Sequence, residues 1–257
     1  MAEQALLLNS LCNREQLSLS SRLYLGVEYC PHLMPESEQL LKAHHYCKIN
    51  QKQLTLVTPI CFEIVSEQLQ SLIKSYAELE EHLEIVVNDW GVFHFVVTNF
   101  PHLQPIIGRL LTRQKRFSQK LSLGENEAKH FSSLPLAHPA ILEWLTSKGV
   151  RRFELEVEKG LDLTRLIETN ISLSLYLPYS IVSVTRACPA SYHPRFGWQN
   201  YRSCAKRCLE NFVVLDNEEL ERPLISKGSA VLSDSESFDA AALVADRLVL
   251  WPQNFEC

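Results

Sequence analysis

Short apolar runs alternate with helical patterns along nearly the whole chain, and this alternation limits the fold more than any other feature. Strand-like runs stand at 22–27 (RLYLGV), 54–58 (LTLVT), 83–87 (LEIVV), 104–108 (QPIIG), 152–156 (RFELE) and 172–177 (SLSLYL). Between them, 35–46 opens with proline and two acids, as a helix start does. Residues 66–79 carry Ser66 as an N-cap and Leu69, Leu72, Ile73 and Tyr76 at helical spacing. A short helix runs from after Asn88 and Asp89 to about Thr98, and further helices are expected at 138–148, closed by Gly149, and at 161–169. Residues 110–135 read as a loop; 212–215, 229–232 and 247–251 read as late strands, with a short helix at 238–246 before the last. Strand–helix repetition over 257 residues predicts an α/β fold, a TIM-like (β/α) barrel with room for an incomplete or distorted form, filling 1–257 as one barrel-like domain with a cysteine-rich loop at its C-terminal face. A doubly wound open sheet is the alternative, but no GxGxxG follows the first strand run.

The same reading maps a site, because a barrel of this kind carries its chemistry at the C-terminal ends of its strands. Cys30 follows the first run, Asn88 and Asp89 the third, and Arg109 the fourth; Glu156 ends the fifth, and Cys188, Cys204 and Cys208 lie in an excursion at 188–210 after the sixth. The chain holds eight cysteines, and Cys12, Cys47, Cys61 and Cys257 lack a comparable partner in the pattern. Glu3 stands where a signal peptide carries positive charge, the first apolar run stops after Leu8, and no stretch approaches the roughly 20 apolar residues of a membrane helix. The expectation is a protein of the reducing cytoplasm, where clustered cysteines bind metal or do redox chemistry more often than they form disulfides. A net charge of −5 with no long run of either sign offers no case for nucleic acid or membrane binding.

Thiolates are soft ligands that select zinc, copper(I) or iron–sulfur clusters. Cys204-x3-Cys208 brings two to one centre, with Cys188 upstream and Cys30 supplied from across the barrel face. Zinc sites made of cysteines usually show two short-spaced pairs, whereas only one short pair stands here; by spacing, zinc and a 4Fe–4S cluster weigh about equally. The bland alternative is four unrelated buried thiols. Against it stands the polar setting of the segment, with Arg186, His193, Arg195, Arg202, Lys206 and Arg207, which favours thiolate.

Several stretches together resemble the collagenase-like peptidase family, in particular its UbiU/UbiV branch of ubiquinone-biosynthesis proteins. GVEYC (26–30) resembles the family's glycine–acid–cysteine segment after a first strand. LEIVVNDWGV (83–92), ILEWLTSKGVRRFELEVE (141–158), RAC (186–188) followed by CAKRC (204–208), and RLVLWPQ (247–253) resemble further segments in the same order. The resemblance implies a barrel and an oxygen-sensitive 4Fe–4S cluster ligated at Cys30, Cys188, Cys204 and Cys208. It also implies a role in oxygen-independent hydroxylation of a small aromatic precursor, in a complex with a related UbiU-like subunit. An RNA base is the other substrate class among such relatives. The peptidase activity in the family's name finds no HExxH or GxSxG here. The chain departs from the family where Tyr176, Tyr179 and Ser180 replace a Glu and Gly–His feature, and where GRLLTRQKRF is basic rather than amidic.

Other residues carry a functional and a bland reading side by side. Glu154, Glu156 and Glu158 share one strand face; Glu156 is a candidate acid/base group, with a solvated strand end as the slightly favoured alternative. Asp89 is a second catalytic candidate, and helix capping accounts for it and Asn88 equally well. Arg109, with Arg113, Lys115 and Arg116, is a candidate grip for an anionic substrate. His44 and His45 lie on a helix with no metal pattern. Tyr192, Phe196, Trp198 and Tyr201 stack on a flat ring in one reading and cover the metal in the other.

Overall fold

The computed structural model describes residues 2–9, 17–18, 20–62, 66–112, 124, 127, 134–157, 163–185, 188–193, 197–198, 204–234 and 245–251. Eight parallel strands close into a barrel in the order β1, β14, β7, β6, β5, β4, β3, β2. They are β1 (Glu3–Leu8), β2 (Arg22–Gly26), β3 (Gln53–Val57), β4 (Glu84–Val87), β5 (Gln104–Ile107), β6 (Arg152–Glu156), β7 (Ser172–Leu177) and β14 (Arg247–Leu250). The expected barrel is thus present, and the apolar run that ends at Leu8 is its first strand, paired with both β2 and β14. Helices α1 (Ser37–Ile49), α2 (Ser66–Ala77), α3 (Trp90–Asn99), α4 (Arg109–Thr112), α5 (Pro139–Ser147) and α6 (Thr164–Glu168) join successive strands.

The late strands do not all belong to the barrel. β8 (Tyr179–Val184), β11 (Val213–Leu215), β12 (Leu224–Lys227) and β13 (Ala230–Asp234) form a separate antiparallel sheet, in the order β11, β12, β13, β8, inserted between β7 and β14. Two short strands, β9 (Tyr192–His193) and β10 (Gly197–Trp198), pair in the same insertion. The excursion expected at 188–210 is therefore one part of a longer insertion built on strands. The expected helix at 238–246 falls almost wholly outside the described residues.

Side-chain alternation sorts the barrel into two chemistries. On the helix side stand Leu23, Leu25, Leu54, Leu56, Ile85, Val87, Phe153, Leu155, Leu173 and Leu175, in one aliphatic core with Leu69, Leu72 and Ile73 of α2. Tyr76 of the same helix donates its hydroxyl to the Leu54 and Glu84 carbonyls at 3.0 and 2.7 Å. The interior side holds Ala5, Leu7, Tyr24, Val57, Val86, Ile106, Tyr176 and Val249 together with a set of charged residues. Arg247 donates to Glu3 (2.6 Å), to Glu84 (2.6 and 3.2 Å) and to the Tyr24 hydroxyl (2.7 Å), so the last strand is clasped to the first. Arg22 reaches Glu3 at 2.7 Å and Thr55 at 3.0 Å in the same layer.

Above that layer the Tyr24 hydroxyl donates to Glu154 at 3.0 Å. Glu154 and Glu156 are both fully buried inside the barrel, which corrects the solvated-terminus reading. Burial foremost pushes the Glu154 carboxyl up to about 7, against the pull of Arg247, Arg152 and the Tyr24 hydrogen bond. With the folded value above the ordinary 4.5, the folded protein binds the extra proton between those limits, so this stabilisation is complete below about pH 4.5 and is lost as pH rises through about 7. Comparing Glu154→Gln with the parent in urea unfolding at pH 5 and pH 8 should show the parent losing ~3 kcal/mol more than the variant over that interval. Parallel losses in the two proteins would show that Glu154 is ionised throughout.

Candidate metal centre

Of the four cysteines singled out by spacing, Cys30 and Cys208 share a buried cluster with residues of the inserted sheet, and charge on Cys188 and Cys204 is felt at both. Gly26 ends β2 at φ +127°, and a Cβ there would stand 2.2 Å from the Val57 carbonyl oxygen, so glycine is needed for the chain to leave the barrel here. Four residues on, Cys30 precedes a 3-10 turn (Pro31–Leu33) and is buried with Tyr29, Leu33, Ile181, Cys208 and Leu232 in a second core. Cys188 is buried at the head of a 3-10 turn (Pro189–Ser191), its carbonyl accepting from the Ser191 N–H at 2.9 Å. Lys206, in the left-handed region at φ 53°, reverses the chain between half-buried Cys204 and buried Cys208.

Peptide N–H groups aim at the sulfurs. The Lys206 N–H lies 3.4 Å from Cys204 Sγ. His32 donates its N–H to Cys30, and Ala190 and Ser191 donate theirs to Cys188. The donor thus comes two residues after the cysteine in three of the four cases, a geometry that stabilises sulfur as an anion.

Burial pushes the Cys30 thiol up to about 12, the His32 N–H opposes this, and charge on Cys208, Cys188 and Cys204 adds to the rise. Cys208 rises to about 11 from burial and from charge on Cys188 and Cys204, and Cys188 is raised by burial despite its two N–H donors. The four sulfurs therefore stand within electrostatic reach of one another. They do not close tightly: among the described residues no three His, Cys, Asp or Glu side chains form the shell of a metal ion. Six cysteines are described and none is in a disulfide; Cys47 and Cys61 sit apart, against the Gln53 and Phe62 carbonyls.

The centre is held from below and from above. Gly228, at φ +61° in the β12–β13 turn, presses on Cys208, where an added Cβ would stand 3.2 Å from the sulfur. The neighbouring Ser229 hydroxyl donates to the Tyr29 carbonyl at 2.9 Å. Burial, opposed by charge on Cys208, lowers the buried Lys227 ammonium to about 8. Beneath, Tyr29 stacks on Trp251 (ring centroids 6.0 Å apart), and Tyr179 meets Trp251 edge-on at 5.8 Å.

Arg109 fills the barrel mouth under these rings. It donates to Glu28 at 3.0 Å and through a second, shorter contact, to Glu156 at 3.3 Å and to the Tyr179 carbonyl at 2.8 Å. Its guanidinium lies 3.8 Å from the centre of the Tyr176 ring. Glu156 in turn accepts from the Ile181 N–H at 2.6 Å. Arg109 and Glu156 are thus committed to each other and to the inserted sheet, rather than standing ready for a soluble anion. Asp89 accepts from the N–H groups of Gly91 (2.8 Å) and Val92 (3.2 Å) as the N-cap of α3. Asn88 donates to the Thr58 carbonyl at 2.9 Å and accepts from the Leu110 N–H at 3.2 Å, a loop latch. His44 meets Glu80 at 2.5 Å on the outside of the barrel. Glu28, Tyr29, Gly228 and Trp251 are the residues that spacing did not single out; the acid two places before Cys30 was the one visible signal. Arg113, Lys115, Arg116, Glu158, Arg186, Arg195, Phe196, Tyr201, Arg202, Cys12 and Cys257 lie outside the described residues, as do the side chains of Tyr192, His193 and Trp198.

No family model matches the chain, and no curated protein matches it in sequence. Among solved structures it is similar to the U32 peptidase Mk0906, at 12% identity and a TM-score of 0.49, over 98% of this chain and 93% of that one.

Two of the candidate residues, Arg109 and Asp89, should respond very differently to removal. Arg109→Met leaves Glu28 and Glu156 buried without their counter-charge and should cost ~3–5 kcal/mol in urea unfolding. Asp89→Ala removes one cap and should cost only ~1 kcal/mol. Equal losses would mean that the mouth network is not a structural keystone.

Proposed function

We propose that Cys30, Cys188, Cys204 and Cys208 hold a 4Fe–4S cluster, and that this protein is the iron–sulfur member of a two-subunit complex of the UbiU/UbiV type. In this reading the complex hydroxylates a small aromatic, ubiquinone-type precursor without molecular oxygen. The observation that carries the cluster is the gathering of four thiols, three of them buried, with peptide N–H donors aimed at Cys30, Cys188 and Cys204. Zinc draws its thiolates to about 2.3 Å around a single ion. A 4Fe–4S cluster instead spreads four cysteines over four irons, and in this reading the four thiols serve such a polynuclear group. Such a cluster, when bound, supplies one-electron transfer. The rest of the work falls to the chain. The N–H groups of His32, Ala190, Ser191 and Lys206 offset thiolate charge in a buried setting. Tyr29 and Trp251 stack beside the segment that carries Cys30. Arg109, through Glu28, fixes the segment that delivers Cys30.

Protein purified without oxygen should be brown, with a broad absorption band towards the violet and about four irons per chain. Cys204→Ser should remove the colour, whereas Cys47→Ser should keep it. A colourless protein carrying one zinc would overturn the cluster, and colour surviving in Cys204→Ser would overturn the ligand set. Co-purification with a tagged UbiU-like subunit under the same conditions checks the complex separately.

A further inference from the structure

The edge of the inserted sheet carries a feature that the metal reading does not use. Every residue from 210 to 219 is exposed, although this stretch contains strand β11. Val213 is 58% exposed, Val214 56% and Leu215 41%, and the preceding Phe212 is 50% exposed. Successive strand residues point to opposite faces, so exposure of three in a row means that β11 is covered on neither face. It pairs on one side with β12 and stands last in the sheet order, so among the described residues its other side has no strand partner. An apolar open edge of this kind is a template for another strand, and proteins normally guard such edges with charge, proline or a covering loop.

The guard here has a single sign. Residues 210–221 (ENFVVLDNEELE) contain five acids and no base. Pairing two copies of β11 antiparallel would set acidic flanks against acidic flanks, so the rim opposes self-association while leaving the valines uncovered. We propose that β11 is a docking edge for another protein: a partner that adds an extended apolar strand flanked by lysine or arginine. Main-chain hydrogen bonds along the edge would supply affinity, burial of Val213, Val214 and Leu215 would add to it, and the acids at either end would select the basic flanks. This inference stands independently of what the cysteines bind.

The test uses the whole chain and three fluorescent synthetic peptides sharing a Thr–Val repeat. One is flanked by lysines, one by glutamates, and one is flanked by lysines but N-methylated at alternate amides. Anisotropy titration should show the plain lysine peptide binding at least about tenfold more tightly than either of the others. Asp216→Lys/Glu219→Lys should remove most of the preference for lysine over glutamate flanks, with an unchanged circular dichroism spectrum showing that the fold survives. Equal binding of the N-methylated peptide would reduce the effect to bulk charge and overturn strand addition. A stable dimer of the chain alone by light scattering would overturn the choice of partner, and binding of none of the peptides would overturn the docking edge itself.

Discussion

Arg109 holds the upper half of the molecule together. Its guanidinium spans the mouth of the barrel, and its partners come from three different places: Glu28 after β2, Glu156 at the end of β6, and the Tyr179 carbonyl on the inserted sheet. A buried cation is costly unless its hydrogen bonds and counter-charges are complete. Here that cost acts as a positional constraint. The segment carrying Cys30 and the sheet carrying Gly228 cannot drift relative to the barrel without exposing Arg109, Glu28 or Glu156 as an uncompensated charge. The thiols keep their mutual positions because the charges beneath them must.

The barrel as a whole repeats this logic with inverted polarity. Its outer surface is aliphatic and shared with the helices, whereas its interior carries arginines, glutamates and tyrosines. Parallel strands covered on both faces usually read as continuous apolar runs. In this chain the two buried faces differ in kind: one is held by packing, the other by hydrogen bonds. Three buried atoms, Glu154 Oε2, Tyr176 Oη and Ser180 Oγ, have no hydrogen-bond partner among the described residues.

This inverted polarity explains what could and could not be read in advance. The strands at 152–156 and 172–177 were legible because apolar residues on their outer face survive as a pattern, and the alternating glutamates did mark one shared face. Which face that was depended on closure of the barrel, a long-range event with no local signature. Strand Glu3–Leu8 was missed because a short apolar run near a chain start carries no flanking helix signal. The inserted sheet was only half legible: 212–215 and 229–232 have strand composition, but Tyr179–Val184 follows a strand directly across Pro178, and Leu224–Lys227 is too polar to stand out. The cysteines stood out by residue type and spacing, which do not depend on the fold around them. Their N–H donors were invisible, because they belong to the backbone.

The insertion of β14 between β1 and β7 has a consequence for the order of assembly. β14 follows the cysteine-bearing insertion in the chain, so all four thiols emerge from the ribosome while the sheet still lacks the strand that seals it. Until then β1 and β7 present two open edges, and Glu3 and Glu84 lack Arg247. The barrel therefore closes only once β14 has been made, a long-range pairing that is slow by its nature. In the interval between those two events the insertion that carries three of the cysteines rests on a barrel with one strand missing.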